Sequence, residues 1–293
     1  MISAWLRVVR ARFLLASVVS VSAGLSVAWA HTGTLDPWVA AVTLGGVLAL
    51  HASVDLLNDY WDYRRGIDTP GTSTGVSGGT GVLPGGLLDP ASVYRAGIAM
   101  LVLGAAAGAY LAVLGGPLVA LLLAFAVVSV LLYSTSIACR GLGELFVGAK
   151  GALIVAGTSL LQAGEVLPGS VFAGIAAGSL SALVLYAASM PDSATDAPRG
   201  RRTLAVIAGP SRSRLFWAFP AAYCAAVCAG VLYGPLPWIS LAALLPLPLA
   251  ARAAAGLAGS SGRGCVPHVR TTIAYSRISG AALVAAIAAS PLL

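Results

Sequence analysis

PWVAAVTLGGVLALHASVDLLNDYWDYRRGID, residues 37–68, runs apolar for most of its length and ends among carboxylates. Twenty or so apolar residues on a helix cross the roughly 30 Å hydrocarbon core of a bilayer. The run therefore predicts a membrane-spanning helix over 38–62, with its polar end at one rim. On a helix at about 100° per residue, Asp55, Asn58, Asp59 and Asp62 fall within roughly 100° of one another. His51 shares that face deeper in the membrane. Gly66 ends the helix, and Asp68 follows it. Like charges stacked at this spacing repel and pay for desolvation near lipid. The stripe makes sense when something cationic sits against it.

The rest of the chain repeats the apolar theme. Of 293 residues, 58% are hydrophobic and 9% charged, against about 25% charged in a soluble domain. No alternating β-barrel pattern appears, and in lipid each spanning backbone must satisfy its own hydrogen bonds, so the spans are helices. The fold class is an all-α membrane protein, one domain over 1–293. Nine segments qualify: 5–30, 38–62, 93–114, 117–137, 143–163, 169–190, 213–233, 236–257 and 270–290. Arg7, Arg10 and Arg12 before the first run look like a signal peptide's charged start. The run is too long for one, and reads as the first span.

The connections alternate. HTGTLDP, LGGP, AGEVLPG and YGPLP are short and carry no Lys or Arg. The others carry Arg64 and Arg65; Arg140; Arg199, Arg201, Arg202, Arg212 and Arg214; Arg263 and Arg270. The positive-inside rule makes the basic set cytoplasmic, the N-terminus inside and the C-terminus outside. The net charge of +7 thus reflects topology, and a nucleic-acid partner is not indicated. The two large polar connections, 58–92 and 191–212, lie on the same cytoplasmic face, so a reaction site opens inward. Cys139, Cys224, Cys228 and Cys265 suggest neither a disulfide framework nor a zinc site.

A second acidic cluster, PDSATDAPRGRR at 191–202, places Asp192 and Asp196 one helical turn apart, followed by arginines. Asp55, Asp59, Asp62, Asp68, Asp192 and Asp196 are six of the chain's ten acidic residues. Hard divalent cations take oxygen ligands, and Mg²⁺ is commonly held by one or two carboxylates plus substrate phosphates. Two opposed aspartate groups can bridge a diphosphate through Mg²⁺, while arginines neutralise the remaining charge. An apolar bundle then shields an allylic cation from water. The residues predict ionisation of a prenyl diphosphate. Solvated helix ends are the competing reading of each cluster taken alone.

NDYWDYRRGID at 58–68 resembles the first aspartate motif of the UbiA superfamily of intramembrane prenyltransferases, in the spacing of the 1,4-dihydroxy-2-naphthoate polyprenyltransferase (menaquinone) branch. SGGTGVLPGGLL, RGLGEL at 140–145 and GRRTLAV at 200–206 resemble further parts of that branch, and the likeness runs from about Arg10 to Val206. The resemblance implies nine helices around a central cavity open to the cytoplasm, in the cell inner membrane, with loops 63–92 and 191–212 as its cap. It implies a Mg²⁺ site of Asn58, Asp59, Asp62, Asp68, Asp192 and Asp196. It also implies phosphate contacts from Arg65, Arg199 and Arg201, with Arg10 opening the first helix and Arg140 at the substrate. The partners implied are a prenyl diphosphate, a small aromatic quinone precursor and the surrounding lipid.

Two features depart from the family pattern. Met190 and Pro191 precede Asp192 where a more polar run is expected, and Arg201 stands in a lysine's place. Lys150 lies inside the fifth span, where a basic residue costs about 2.5–3.5 kcal/mol. It either pairs with Glu144 or snorkels, or it reaches the diphosphate or orients the acceptor. Tyr133, Tyr60, Tyr63 and Tyr186 are candidates to steady a cation; packing is the ordinary role of such tyrosines. His51 is read as a base or as a hydrogen-bonded structural histidine. The Gly-rich loop 71–86 lacks Gly-Lys-Ser/Thr, so it is no phosphate-binding Walker loop; it reads as a mobile cover over the diphosphate. Three rival functions use some of the same features. A terpene cyclase would ionise the diphosphate without an acceptor. A cation-coupled transporter would need an outer gate, and none is visible. A CDP-alcohol phosphotransferase would need a tight Asp-Gly-Ala-Arg pattern, which is absent.

Overall fold

In the computed structural model, residues 1–71, 73–133 and 140–290 are described, and Arg199 by its backbone alone. Cys139, the last residues of the expected fourth span and the side chain of Arg199 lie outside the described residues. Helices α1 (Ile2–Val8), α2 (Ala11–Thr32), α3 (Pro37–Arg64), α4 (Pro90–Gly115), α5 (Pro117–Leu132), α6 (Gly143–Ala163) and α7 (Pro168–Ser189) make the first part. Then come α8 (Ser193–Asp196), α9 (Leu204–Ala208), α10 (Arg212–Leu215), α11 (Ala218–Leu232), α12 (Leu247–Ala258) and α13 (Val266–Ala289), with 3₁₀ turns between several of them. No strand occurs among the described residues.

Seven helical stretches are long and apolar enough to cross a membrane, and the protein is an integral membrane protein. Helices α9 to α11 add an eighth if the pair Leu204–Leu215 and Ala218–Leu232, bent by 59°, counts as one span. Helix α5 is apolar but shorter, at 16 residues.

Sequence signals set the helix starts. Pro occupies the first turn of α3, α4, α5 and α7, where its missing N–H would lack an intrahelical partner anyway. Asp36 caps α3, its Oδ1 accepting from the backbone N–H groups of Trp38 at 2.8 Å and Val39 at 3.0 Å. The expected first span is corrected: it breaks at Arg10, which adopts φ 48°, ψ 46° and separates α1 from α2. A non-glycine residue there costs about 1 kcal/mol, and here the bend turns the Arg10 guanidinium to the Asp59 carboxylate, 3.7 Å away. The expected eighth span, 236–257, opens as a 3₁₀ helix, Trp238–Leu244, before α12.

Small residues let the helices that frame the site approach closely, as van der Waals packing in lipid requires. On α6 and α7, a methyl at Gly178 would overlap the Gly148 carbonyl, and one at Gly151 would stand 2.9 Å from Gly178 Cα. The largest buried cluster joins α7, α11, α12 and α13 around Leu183, Tyr186, Phe216, Tyr223 and Tyr275. Two of its tyrosines are satisfied, with Tyr223 donating to Ala243 O at 3.0 Å and Tyr186 to Arg212 O at 2.6 Å. A second cluster ties α1 to α3, α4 and the Gly-rich loop through Ala4, Val8, Leu56, Val82, Leu83 and Val93.

Candidate active site

A cavity of about 280 Å³ opens between α2, α3, α5, α6 and α7. Its walls are mostly apolar, with Val47, Leu50, Ala126, Val130, Phe146 and Ile154 among them. Polar groups gather at one end: Asn58 and Asp62 from α3, Asp192 and Asp196 from the turns after α7, and Arg10 and Arg201. Residues far apart in sequence thus meet because α3 and α7 end at the same side of the bundle.

The groups at this end are wired to one another. Asn58 Nδ2 donates to Asp62 Oδ2 at 3.1 Å, and Arg201 Nη2 stands 3.5 Å from the same oxygen. Asn58 Oδ1 is buried with no hydrogen-bond partner. Such an atom costs about 1–3 kcal/mol unless a donor or a cation meets it.

The stripe read along α3 divides. Asp59, 1% exposed, turns away from the cavity lining. It accepts from Thr80 N–H at 3.2 Å and Thr80 Oγ1 at 2.8 Å. Asp68 lies against the neighbouring Gly79, where a β-carbon would overlap its carboxylate. Gly79 also holds φ +71°, a backbone state that favours glycine. Gly78 N–H donates to Asp192 Oδ2 at 2.7 Å. Three consecutive loop residues therefore lie against three aspartates, two from the first cluster and one from the second, with Gly78 and Thr80 hydrogen-bonded to theirs. Arg7 Nη2 to Thr80 O at 2.9 Å and Arg263 Nη2 to Gly71 O at 2.8 Å add outer ties. Ser77, Gly78 and Gly79 face the cavity as a result. Burial, with the Asp62 and Asp59 charges adding, pushes the Asp68 carboxyl up to about 7, while Arg10 and Arg201 act against the rise.

Other expected residues fall in different places. Tyr133 and Lys150 line the cavity. Tyr60 stacks on Tyr94 with ring centroids 4.9 Å apart, Tyr63 packs on the second cluster, and Tyr186 is fully buried in the first; none of these three lines the cavity. Arg65 is exposed and holds its guanidinium 5.7 Å from the centre of the Trp61 ring. Arg140 is exposed and is not part of the lining. The cavity also takes in Ser17, His51, Asp55 and Glu144. Helical spacing places His51 and Asp55 on the Asn58 stripe in the sequence, and both line the cavity; Ser17 and Glu144 join them from α2 and α6.

An apolar bundle that gathers carboxylates and arginines at one end of a greasy cavity defines an intramembrane site for a substrate with an anionic head and an apolar tail. The chain belongs to the UbiA prenyltransferase family, whose model matches residues 17–263. It is a prenyltransferase. It is 34% identical to the 1,4-dihydroxy-2-naphthoate octaprenyltransferase of Mycobacterium tuberculosis over 92% of this chain and 91% of that protein. Two solved structures share the fold. A UbiA homolog from Aeropyrum pernix K1, in its apo form, matches with TM-score 0.69 at 20% identity, covering 92% of this chain and 97% of that one. A UbiA homolog from Archaeoglobus fulgidus bound to DMAPP and Mg²⁺ matches with TM-score 0.63 at 13% identity, covering 95% and 98%.

Proposed function

We propose that the protein moves a prenyl group from its diphosphate to an aromatic quinone precursor, with Mg²⁺, at a site opening to the cytoplasmic side of the cell inner membrane. The observation that carries this reading is the meeting of Asn58 and Asp62 with Asp192 and Asp196 at the polar end of one apolar cavity. The naphthoate named for the Mycobacterium tuberculosis relative makes a menaquinone precursor the leading acceptor.

The donor set suits Mg²⁺. It is all oxygen, and the unpartnered Asn58 Oδ1 is the kind of buried atom a cation satisfies. Among the described residues no three His, Cys, Asp or Glu side chains stand together as a metal site by themselves, so substrate phosphate and water would have to complete the coordination. Asn58, Asp62, Asp192 and Asp196 would hold it. When bound, Mg²⁺ would draw charge off the diphosphate and make it a better leaving group.

The chain's own residues do the rest. Arg10 and Arg201 stand beside Asp59 and Asp62, ready to donate to phosphate oxygens. Arg199 follows the second motif in sequence and is a further candidate for a phosphate contact. The apolar wall holds the hydrocarbon chain and excludes water, and Tyr133 in that wall supplies an aromatic ring to steady a developing cation. Lys150 sits farther in, suited to the acceptor. Asp59 and Asp68 hold the loop, so that 63–92 and 191–212 together cap the site. The basic connections face the cytoplasm, the N-terminus lies inside, and nine spans complete the single domain.

The test is direct. Purified protein receives a panel of prenyl diphosphates with and without aromatic acids and Mg²⁺. Mg²⁺-dependent pyrophosphate release coupled to a prenylated aromatic product is expected. A terpene hydrocarbon or alcohol formed without acceptor would make it a cyclase. Absence of pyrophosphate release under every condition would overturn the reading.

A further inference from the structure

Below the polar end, the cavity holds a second set of charged groups that diphosphate chemistry leaves unused. Asp55 lies about 10 Å along the α3 axis from Asp62, at 1.5 Å per residue. Its oxygen Oδ2 is buried without a hydrogen-bond partner and stands 3.8 Å from His51 Nε2. His51 Nδ1 in turn meets Ser17 Oγ at 2.7 Å. The Ser17 contact from α2 holds the imidazole, which lies beside the carboxylate. From α6, Lys150 enters the same cavity and, among the described residues, makes no hydrogen bond and no ion pair. The two charges act on each other through the cavity, yet they do not touch.

Carrying an ammonium and a carboxylate into an apolar, membrane-embedded cavity is unfavourable, and a close pair offsets it only with good geometry. Here the pair is left open. An open pair of this kind fits one molecule that bridges it. Lys150 has three donors and no acceptor, so it takes an anionic oxygen. The free Asp55 oxygen accepts from an O–H. The apolar walls around them suit a flat ring.

We propose that Lys150 and Asp55 form the acceptor subsite and select a hydroxyarene carboxylate. Lys150 pairs with the carboxylate, and Asp55 accepts a hydrogen bond from the ring hydroxyl. His51 and Ser17 act through Asp55 as positioning residues. The inference rests on the prenyl-transfer reading and deepens it by naming the residues that choose the acceptor.

Three probes separate the two contacts: 1-hydroxy-2-naphthoate, 1-naphthol and 2-naphthoate. Saturable binding is measured with the full chain in lipid nanodiscs, against empty nanodiscs, with no prenyl donor and no metal. Lys150→Met should weaken both carboxylates about tenfold and leave 1-naphthol within about twofold; Lys150→Arg should restore most of the loss. Asp55→Asn should weaken the two hydroxyl-bearing probes about fivefold and spare 2-naphthoate. Met suits a membrane span, and Asn has the shape of Asp, so both variants are compatible with folding. The subsite is overturned if the unaltered protein binds no probe saturably, or if Lys150→Met weakens all three alike. It is also overturned if Lys150→Met instead shifts the affinity for pyrophosphate with Mg²⁺. Binding in the expected pattern without prenyl transfer to any aromatic acid would keep the subsite and remove the transferase reading. Transfer without the pattern would do the reverse.

Discussion

The acids of the first cluster divide into two groups that sequence spacing cannot tell apart. Asn58 and Asp62 face the cavity, where Arg201 and the second cluster meet them. Asp59 and Asp68 face the Gly-rich loop, where Thr80 and Gly79 meet them. One helix end thus serves chemistry on one side and loop placement on the other. Asp192 belongs to both, lining the cavity while accepting from Gly78 N–H. Carboxylate count is therefore a poor measure of metal ligands in such a site; what each oxygen already accepts is a better one.

Substitutions can break this division. The largest expected effect is at the cavity side: Asp62→Asn should lower kcat/KM for pyrophosphate release by about 10²–10³, some 3–4 kcal/mol of transition-state stabilisation. Acidification comes next. Asp68 is pushed up to about 7, so the folded protein carries it protonated below that pH and ionised above. Mg²⁺ favours the ionised form. The half-saturating Mg²⁺ concentration should rise about tenfold from pH 8 to pH 6, and Asp68→Asn should flatten that dependence. On the loop side, Thr80→Val removes one hydrogen bond to Asp59 while leaving the other. It should raise the KM for prenyl diphosphate about fivefold with kcat nearly unchanged, and speed proteolysis between residues 73 and 86. The smallest effect is expected at Arg65→Ala and Arg140→Ala. Both side chains lie outside the cavity lining, and kcat/KM should move no more than about threefold.

The membrane spans were the most legible part of the chain, because hydropathy and first-turn prolines act locally. The expected 38–62, 143–163 and 169–190 appear as Pro37–Arg64, Gly143–Ala163 and Pro168–Ser189. The break at Arg10 was not legible, since a left-handed arginine is held by a partner on another helix. The 3₁₀ opening at Trp238–Leu244 was equally hidden among residues that read as one apolar run. In the site, the meeting of the two acidic clusters could be inferred from their shared rim. The attachment of Asp59 to Thr80 could not, because periodicity fixes the direction of a side chain and leaves open what packs there. Tyr186 shows the same limit: its ring is buried by α11 and its hydroxyl is taken by Arg212 O.

The loop's anchors also set an order of assembly. Membrane chains are inserted from the N-terminus, and domains form as their parts emerge. Asp59 and Thr80 can meet early, once α3 and α4 are in place. Gly78 has no Asp192 until α7 has been made, and Gly71 has no Arg263 until the start of α13 arrives. A chain halted between α6 and α7 would carry a half-fastened loop and no second cluster. The site therefore closes only after α7 and the start of α13 have been made.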